Sequence, residues 1–165
     1  MKLLVKSTLM VAMLGLAACS QAGLGGNGAS GQYGAGAGGN YAPASPEYFN
    51  QTIGDRVFFA VDQSNLSAEA IATLDQQANW LLSNPNYTAI IEGHADEQGT
   101  REYNLALGAR RAASAQEYLI SRGVAPNRLS TISYGKERPI EICSNEACYN
   151  RNRRAVTVIA AGAGV

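Results

Sequence analysis

Histidine is almost missing from this chain, which holds one among its 165 residues, and cysteine is scarce at three. A nitrogen- and sulfur-ligated metal centre draws four ligands together. His94 with Cys143 and Cys148 supplies too few, so no metal is expected. The same scarcity leaves any histidine-based triad to His94, and no serine is singled out as its partner. No Gly-x-Ser-x-Gly elbow occurs either, and no cofactor is expected. Excess charge is also absent: 13 Lys and Arg balance 13 Asp and Glu. No basic field marks the chain for nucleic acid. Finally, there is no long apolar run. The stretch from Leu9 to Ala18 falls well short of the ~20 residues that span a bilayer.

What is present begins with that short run. Lys2 and Lys6 precede it and small residues close it, the pattern of a secretory signal over residues 1–18. Leu16-Ala17-Ala18-Cys19 resembles the bacterial lipobox, in which cleavage leaves an acylated cysteine as the first residue. The resemblance implies a lipoprotein lipidated at Cys19. Each buried methylene contributes ~0.8 kcal/mol, so several acyl chains give durable attachment where one gives only reversible binding. In lipoproteins an aspartate after the cysteine favours the inner membrane. Ser20 at that position implies the outer membrane, with the domain in the periplasm.

From Cys19 to Pro46 glycine, alanine, asparagine and serine dominate. Such a composition buries too little apolar surface to offset its ordering entropy, so residues 19–46 are expected to be a flexible tether. Its random-coil span is roughly 30 Å. With Cys19 lipidated, Cys143 and Cys148 remain as an even pair in an oxidising compartment, and a disulfide is the simplest outcome. A loop this short gains little entropic stabilisation and should stiffen a surface excursion.

Residues 47–160 read as one α+β domain, with 161–165 a weakly specified tail. Arg56 to Val61 is β-branched and aromatic, a buried strand. Ser67 is a good N-cap, and Ile71, Leu74, Ala78, Leu81 and Leu82 recur at helical spacing until Asn84-Pro85. Thr88 to His94 reads as a second strand and Glu102 to Ser121 as a long helix stopped by Gly123 and Pro126. Leu129 to Tyr134 is a third strand, Asn145 to Asn152 a short helix, and Arg154 to Ile159 a fourth strand. The order β-α-β-α-β-(α)-β predicts a mixed sheet with helices packed on one face.

Between these elements stand Glu92-Gly93-His94-Ala95-Asp96-Glu97-Gln98-Gly99-Thr100, Tyr103-Asn104-Leu105-Ala106-Leu107-Gly108-Ala109-Arg110-Arg111-Ala112, Ser133-Tyr134-Gly135 and Asn152-Arg153-Arg154-Ala155-Val156. In content, order and spacing they resemble the OmpA C-terminal-like family, and its peptidoglycan-associated lipoprotein branch. The resemblance implies non-covalent binding of peptidoglycan at the diaminopimelate of the stem peptide. It also implies a place in the Tol–Pal envelope system, with TolB and other Tol proteins as partners. That system maintains envelope integrity and draws the outer membrane inward at division.

Diaminopimelate ends in a carbon bearing an ammonium and a carboxylate, so its recognition needs an acid, a base and a walled slot. Asp96, at a strand's C-terminal end, can accept from the ammonium, and Arg111 can hold the carboxylate bidentately, which lysine cannot. On the helix, Asn104, Leu107 and Arg111 share one side, to be offered to a ligand, whereas the expected core stripe of Leu105, Ala112 and Leu119 is displaced by roughly 100°. Leu107 is then an apolar wall. The resemblance adds Val61 and Asp62 at the end of the first strand. Many members carry arginine where this chain has Gln98, which donates a hydrogen bond but no charge. Arg153 and Arg154 read as structural cations beside the site.

Two other readings stand beside this one. His94-Ala95-Asp96 or Asp96-Glu97 would suit a periplasmic hydrolase acting on cell-wall material, but adjacent positions at a strand end point in different directions. A flagellar-stator protein with a related domain requires a transmembrane helix carrying an acid, and the short run ending in Cys19 is no such helix. The expected protein is a binder and not an enzyme.

Overall fold

A computed structural model describes residues 41–161. The signal segment, Cys19 and the tether up to residue 40 lie outside the described residues, as do residues 162–165. The first element is α1 (Pro46–Tyr48), which continues as a π-helical stretch (Phe49–Gly54). Then come β1 (Arg56–Phe58), α2 (Ala68–Ser83), β2 (Tyr87–His94), α3 (Arg101–Ser121), β3 (Leu129–Gly135), α4 (Glu146–Asn152) and β4 (Arg154–Ala161). Each α-helix opens on a side-chain oxygen that accepts an otherwise unpaired backbone N–H. Ser45 serves α1, Ser67 α2, Thr100 α3 and Asn145 α4.

The strands form one sheet in the order β1-β4-β2-β3. β4 runs antiparallel to both neighbours, pairing Val57 with Ala155 and Ile91 with Thr157. β2 and β3 are parallel, and α3 supplies the crossover such a pair requires. The α+β reading and the mixed sheet therefore hold. Ala89 and Ile91 of β2 point into the core with Leu74 and Leu81 of α2 and Leu119 of α3. The opposite sheet face shows Ile90, Ile132 and Val158 to solvent. Helices cover one side.

α3 packs unusually close to the sheet. A Cβ placed on Gly93 of β2 would overlap the carbonyl oxygen of Gly108, and one on Gly108 would lie 2.8 Å from the Gly93 oxygen. Two bare glycines thus let helix backbone touch strand backbone. This contact rotates α3 from its expected phase. Leu105, read as core, is 45% exposed, and one continuous buried face carries Asn104, Leu107, Gly108, Arg111, Ala112, Ala115 and Leu119. The displaced ligand stripe and core stripe are one face. On α2, Ile71 and Leu82 are likewise exposed, since Leu74, Ala78 and Leu81 already fill the contact.

Three further features differ from, or extend, the expectations. β1 stops at Phe58, because the chain curls into a turn where the Gln63 N–H bonds the Ala60 carbonyl. The N-terminal helix was not anticipated. Phe49 is nonetheless fully buried against Trp80, whose indole N–H donates to the Pro43 carbonyl at 2.7 Å. Cys143 and Cys148 form a disulfide with Cα atoms 6.0 Å apart, and Cys148 sits in the first turn of α4.

Candidate ligand site

The loop after β2 carries Asp96, whose two carboxylate oxygens have separate duties. Oδ1 accepts the Gln98 backbone N–H at 3.1 Å, tightening the loop into a turn, and Oδ2 accepts Arg153 Nη1 at 3.1 Å. Asp96 does not cap α3; Thr100 does. Asn104, buried on the first turn of α3, donates Nδ2 to the Gln98 carbonyl at 2.7 Å and fixes the loop's far end. Across from it lies the turn after β1, with Asp62 in the left-handed region at φ 56°. An aspartate tolerates that conformation better than most residues. The Tyr103 hydroxyl donates to the Asp62 carboxylate and joins α3 to this turn. That bond pushes the Tyr103 phenol above its ordinary range.

Between these pieces lies a cavity of about 230 Å³ lined by Val61, Asp62, Asp96, Gln98, Gly99, Tyr103, Asn104 and Leu107. Six of the seven residues singled out in the sequence line it together. Arg111 does not. Its side chain is fully buried, donating Nε to the Gln63 carbonyl at 2.8 Å, Nη1 to His94 at 2.9 Å and Nη2 to Ala60 at 3.2 Å. The guanidinium also stacks on Phe59, 5.3 Å from the ring centre. Arg111 therefore knots the β1 turn to the end of β2. Burial lowers its pKa to about 10, against the opposing pull of Asp96 and, more weakly, Asp62, so it stays charged at neutral pH.

Arg153 is the second guanidinium behind the cavity. It pairs with Asp96 and with Glu146 and donates Nε to the Phe59 carbonyl. Arg154 instead binds the carbonyls of Asn152 and Arg138, a structural role away from the cavity. His94, two residues before Asp96, is 2% exposed, and neither ring nitrogen has a hydrogen-bond partner. Burial first, then Arg154, Arg138 and Arg56, lower its pKa to about 3. The Glu92 carboxylate 3.6 Å away favours the proton but is outweighed. His94 is neutral and does not line the cavity.

The geometry is a small slot with two carboxylates at its walls, apolar sides from Val61 and Leu107, and two cations behind. It suits a ligand bearing an ammonium on an aliphatic stem. A groove of about 480 Å³ beside Trp80 is larger, but no charged side chain lines it. Tyr103 and Gly99 were missed as wall residues. Tyr103 stands four positions before Leu107 on α3, one helical turn away, so its place on the same face was available from spacing alone.

Comparison with known proteins agrees with this architecture. The OmpA family model matches residues 58–153. The peptidoglycan-associated lipoprotein of Rhizobium meliloti is 52% identical, over 99% of this chain and 93% of its own length. That of Haemophilus influenzae is 39% identical, over 92% and 95%. The crystal structure of the peptidoglycan-associated lipoprotein from Burkholderia pseudomallei superposes with a TM-score of 0.67 at 34% identity, covering 72% of this chain and all of that one. A TM-score of 0.61 to the C-terminal domain of Helicobacter pylori MotB, at 22% identity over 66% of this chain and 86% of that one, is a likeness of fold. The chain belongs to the OmpA family and, within it, to the peptidoglycan-associated lipoproteins.

Proposed function

We propose that the cavity binds the side-chain terminus of diaminopimelate in peptidoglycan, and that the protein tethers the outer membrane to the cell wall through a lipid on Cys19. The observation that carries this is the convergence of Asp62 and Asp96 on one slot walled by Val61 and Leu107. The ligand ammonium meets the carboxylates and its methylene stem lies along Leu107. Three carbonyls occupy three of the five N–H groups of Arg111. A ligand carboxylate at the Leu107 end of the slot is drawn by the charge of the buried guanidinium behind it. Arg111 thus has two tasks, holding the two turns together and supplying positive charge from behind.

The protein acts as a binder and not as an enzyme. None of the eight cavity residues is a serine, cysteine or histidine, so the lining offers no activated nucleophile of those kinds. Membership of the family supports a place in the Tol–Pal system, with TolB as a periplasmic partner and a part in drawing the outer membrane inward at division.

The burial of Arg111 and the Asp96–Arg153 pair decide which variants test the site. Arg111→Ala would leave three carbonyls unpaired, and Asp96→Ala would strand a buried guanidinium. Asp62→Asn keeps size and the acceptor for Tyr103 while removing charge, and Asp96→Asn keeps size and one of its two acceptor oxygens while removing charge. Removal of one partner from a desolvated charge pair costs ~2–5 kcal/mol, and exposure of Asp62 puts its share at the lower end. Titration with a diaminopimelate-containing muropeptide should show at least tenfold weaker binding for both variants, with unchanged circular dichroism. Parent-like affinity in both would reject the site. Release of peptide from purified sacculi over hours would favour the hydrolase.

A further inference from the structure

The ligand loop is gripped from a direction that recognition itself does not require. Glu97, between Asp96 and Gln98, points away from the cavity, and its Oε1 accepts two hydroxyls. One is Ser144 Oγ at 2.9 Å, inside the disulfide-closed loop, and the other is Tyr149 OH at 3.1 Å, on α4. The Glu97 and Gly99 carbonyls accept Lys136 Nζ at 3.3 and 2.7 Å. Arg153, just past α4, holds Asp96 itself. The Cys143–Cys148 bond spans Ser144 and the α4 cap Asn145, whose side chain accepts the Cys148 N–H at 3.2 Å. Ser144 and the cap are thus enclosed by one covalent bridge, and Tyr149 follows Cys148 directly on α4.

We propose that the 143–148 disulfide loop and α4 form a clasp that sets the shape of the ligand loop, with Glu97, Ser144 and Tyr149 as positioning residues, so that wall binding responds to the thiol–disulfide state of Cys143 and Cys148. This rests on the ligand site proposed above. An external dithiol opens the bond: each sulfur takes one electron and one proton, and the dithiol leaves as its cyclic disulfide. Ser144 is then released from its fixed place beside α4. The Gln98 N–H, held by Asp96 Oδ1, loses its restraint, and the Asp96 carboxylate turns from the slot.

The test uses the full mature protein, oxidised and dithiol-reduced, with Glu97→Gln and Glu97→Ala variants. Amide hydrogen exchange over residues 96–99 and affinity for a diaminopimelate-containing muropeptide are read in parallel. Reduction and Glu97→Ala should each speed exchange at Gln98 and weaken binding about threefold to tenfold, the scale of one charge-assisted contact at a partly exposed site. Glu97→Gln keeps an acceptor for both hydroxyls and should restore both readouts. Glu97→Ala should cost less in reduced protein than in oxidised protein, because reduction has already released the Ser144 contact and only that of Tyr149 remains to be lost. Exchange at 96–99 that ignores reduction overturns the clasp whether or not the muropeptide binds. Exchange that responds while affinity does not overturns its role in binding. An oxidised parent that fails to bind, yet shows the exchange response, instead overturns the ligand site and supports the clasp as a loop restraint.

Discussion

A single imidazole gives this domain part of its acid sensitivity. His94 is buried, unbonded at both nitrogens and faced by Arg154, Arg138 and Arg56, with Glu92 the one acid beside it. Its folded pKa of about 3 lies below the ordinary value of 6.5, so the unfolded chain binds the extra proton first. Stability from this residue is complete above pH 6.5 and is lost as pH falls toward 3. Between pH 7 and 5 the loss is about 2 kcal/mol. His94→Phe keeps the volume and removes the titration, so urea midpoints measured at pH 7 and 5 should lie closer together than in the parent. At the same scale, Asp62 and Asp96 are separable in purpose. Asp96 has both oxygens engaged within the protein, whereas Asp62 has one engaged by Tyr103. Tyr103→Phe should therefore free Asp62 and alter muropeptide affinity by no more than about threefold, since the wall surface stays.

Among the elements, the α3–β2 contact sets the site. Leu107 and Asn104 reach the cavity because Gly108 rests on Gly93 and brings the helix down beside the loop after β2. Gly93→Ala puts a methyl against the Gly108 carbonyl, backbone against backbone, where no side chain can yield. Overpacking of that kind costs about 3 kcal/mol. Chemical denaturation of Gly93→Ala should show the loss, and the surviving folded fraction should bind muropeptide more weakly as Leu107 and Asn104 lift. Element identity was largely legible beforehand. Ser67 marks one helix start by side-chain capping, and the β-branched runs at Ile90-Ile91 and Val156-Thr157-Val158 mark two central strands, whereas the Thr100 cap emerged only with the structure. Phase was less so. A helical wheel separates Leu105 from Leu107 but does not say which meets the sheet, since that depends on two glycines far apart in sequence. The short N-terminal helix was missed because its apolar residues are few, Tyr48, Phe49 and Ile53, and the partner of its one fully buried side chain, Phe49, is Trp80 on another helix.

At the scale of the whole molecule, the proposed lipid anchor, tether and wall-binding head would together make one mechanical link. Replacing the proposed lipidation site, Cys19→Ser, should move the protein from the membrane fraction to the soluble fraction on fractionation of cells. Muropeptide affinity of the purified protein should stay the same, because the described site lies wholly within residues 61–111 and their arginine partner Arg153. Retention in the membrane fraction would count against the anchor.

The amino-acid order by itself determined the local matters: four strands, the principal helices, the Ser67 cap and the cysteine pair. These follow from interactions between near neighbours along the chain. Only the tertiary structure decided that Arg111 stands behind the slot holding three carbonyls, that Arg153 is the partner of Asp96, and that Glu97 is grasped by Ser144 and Tyr149. Each of those contacts joins residues remote in sequence. Their burial and direction are set by how the helix settles on the sheet, a distance no local pattern encodes.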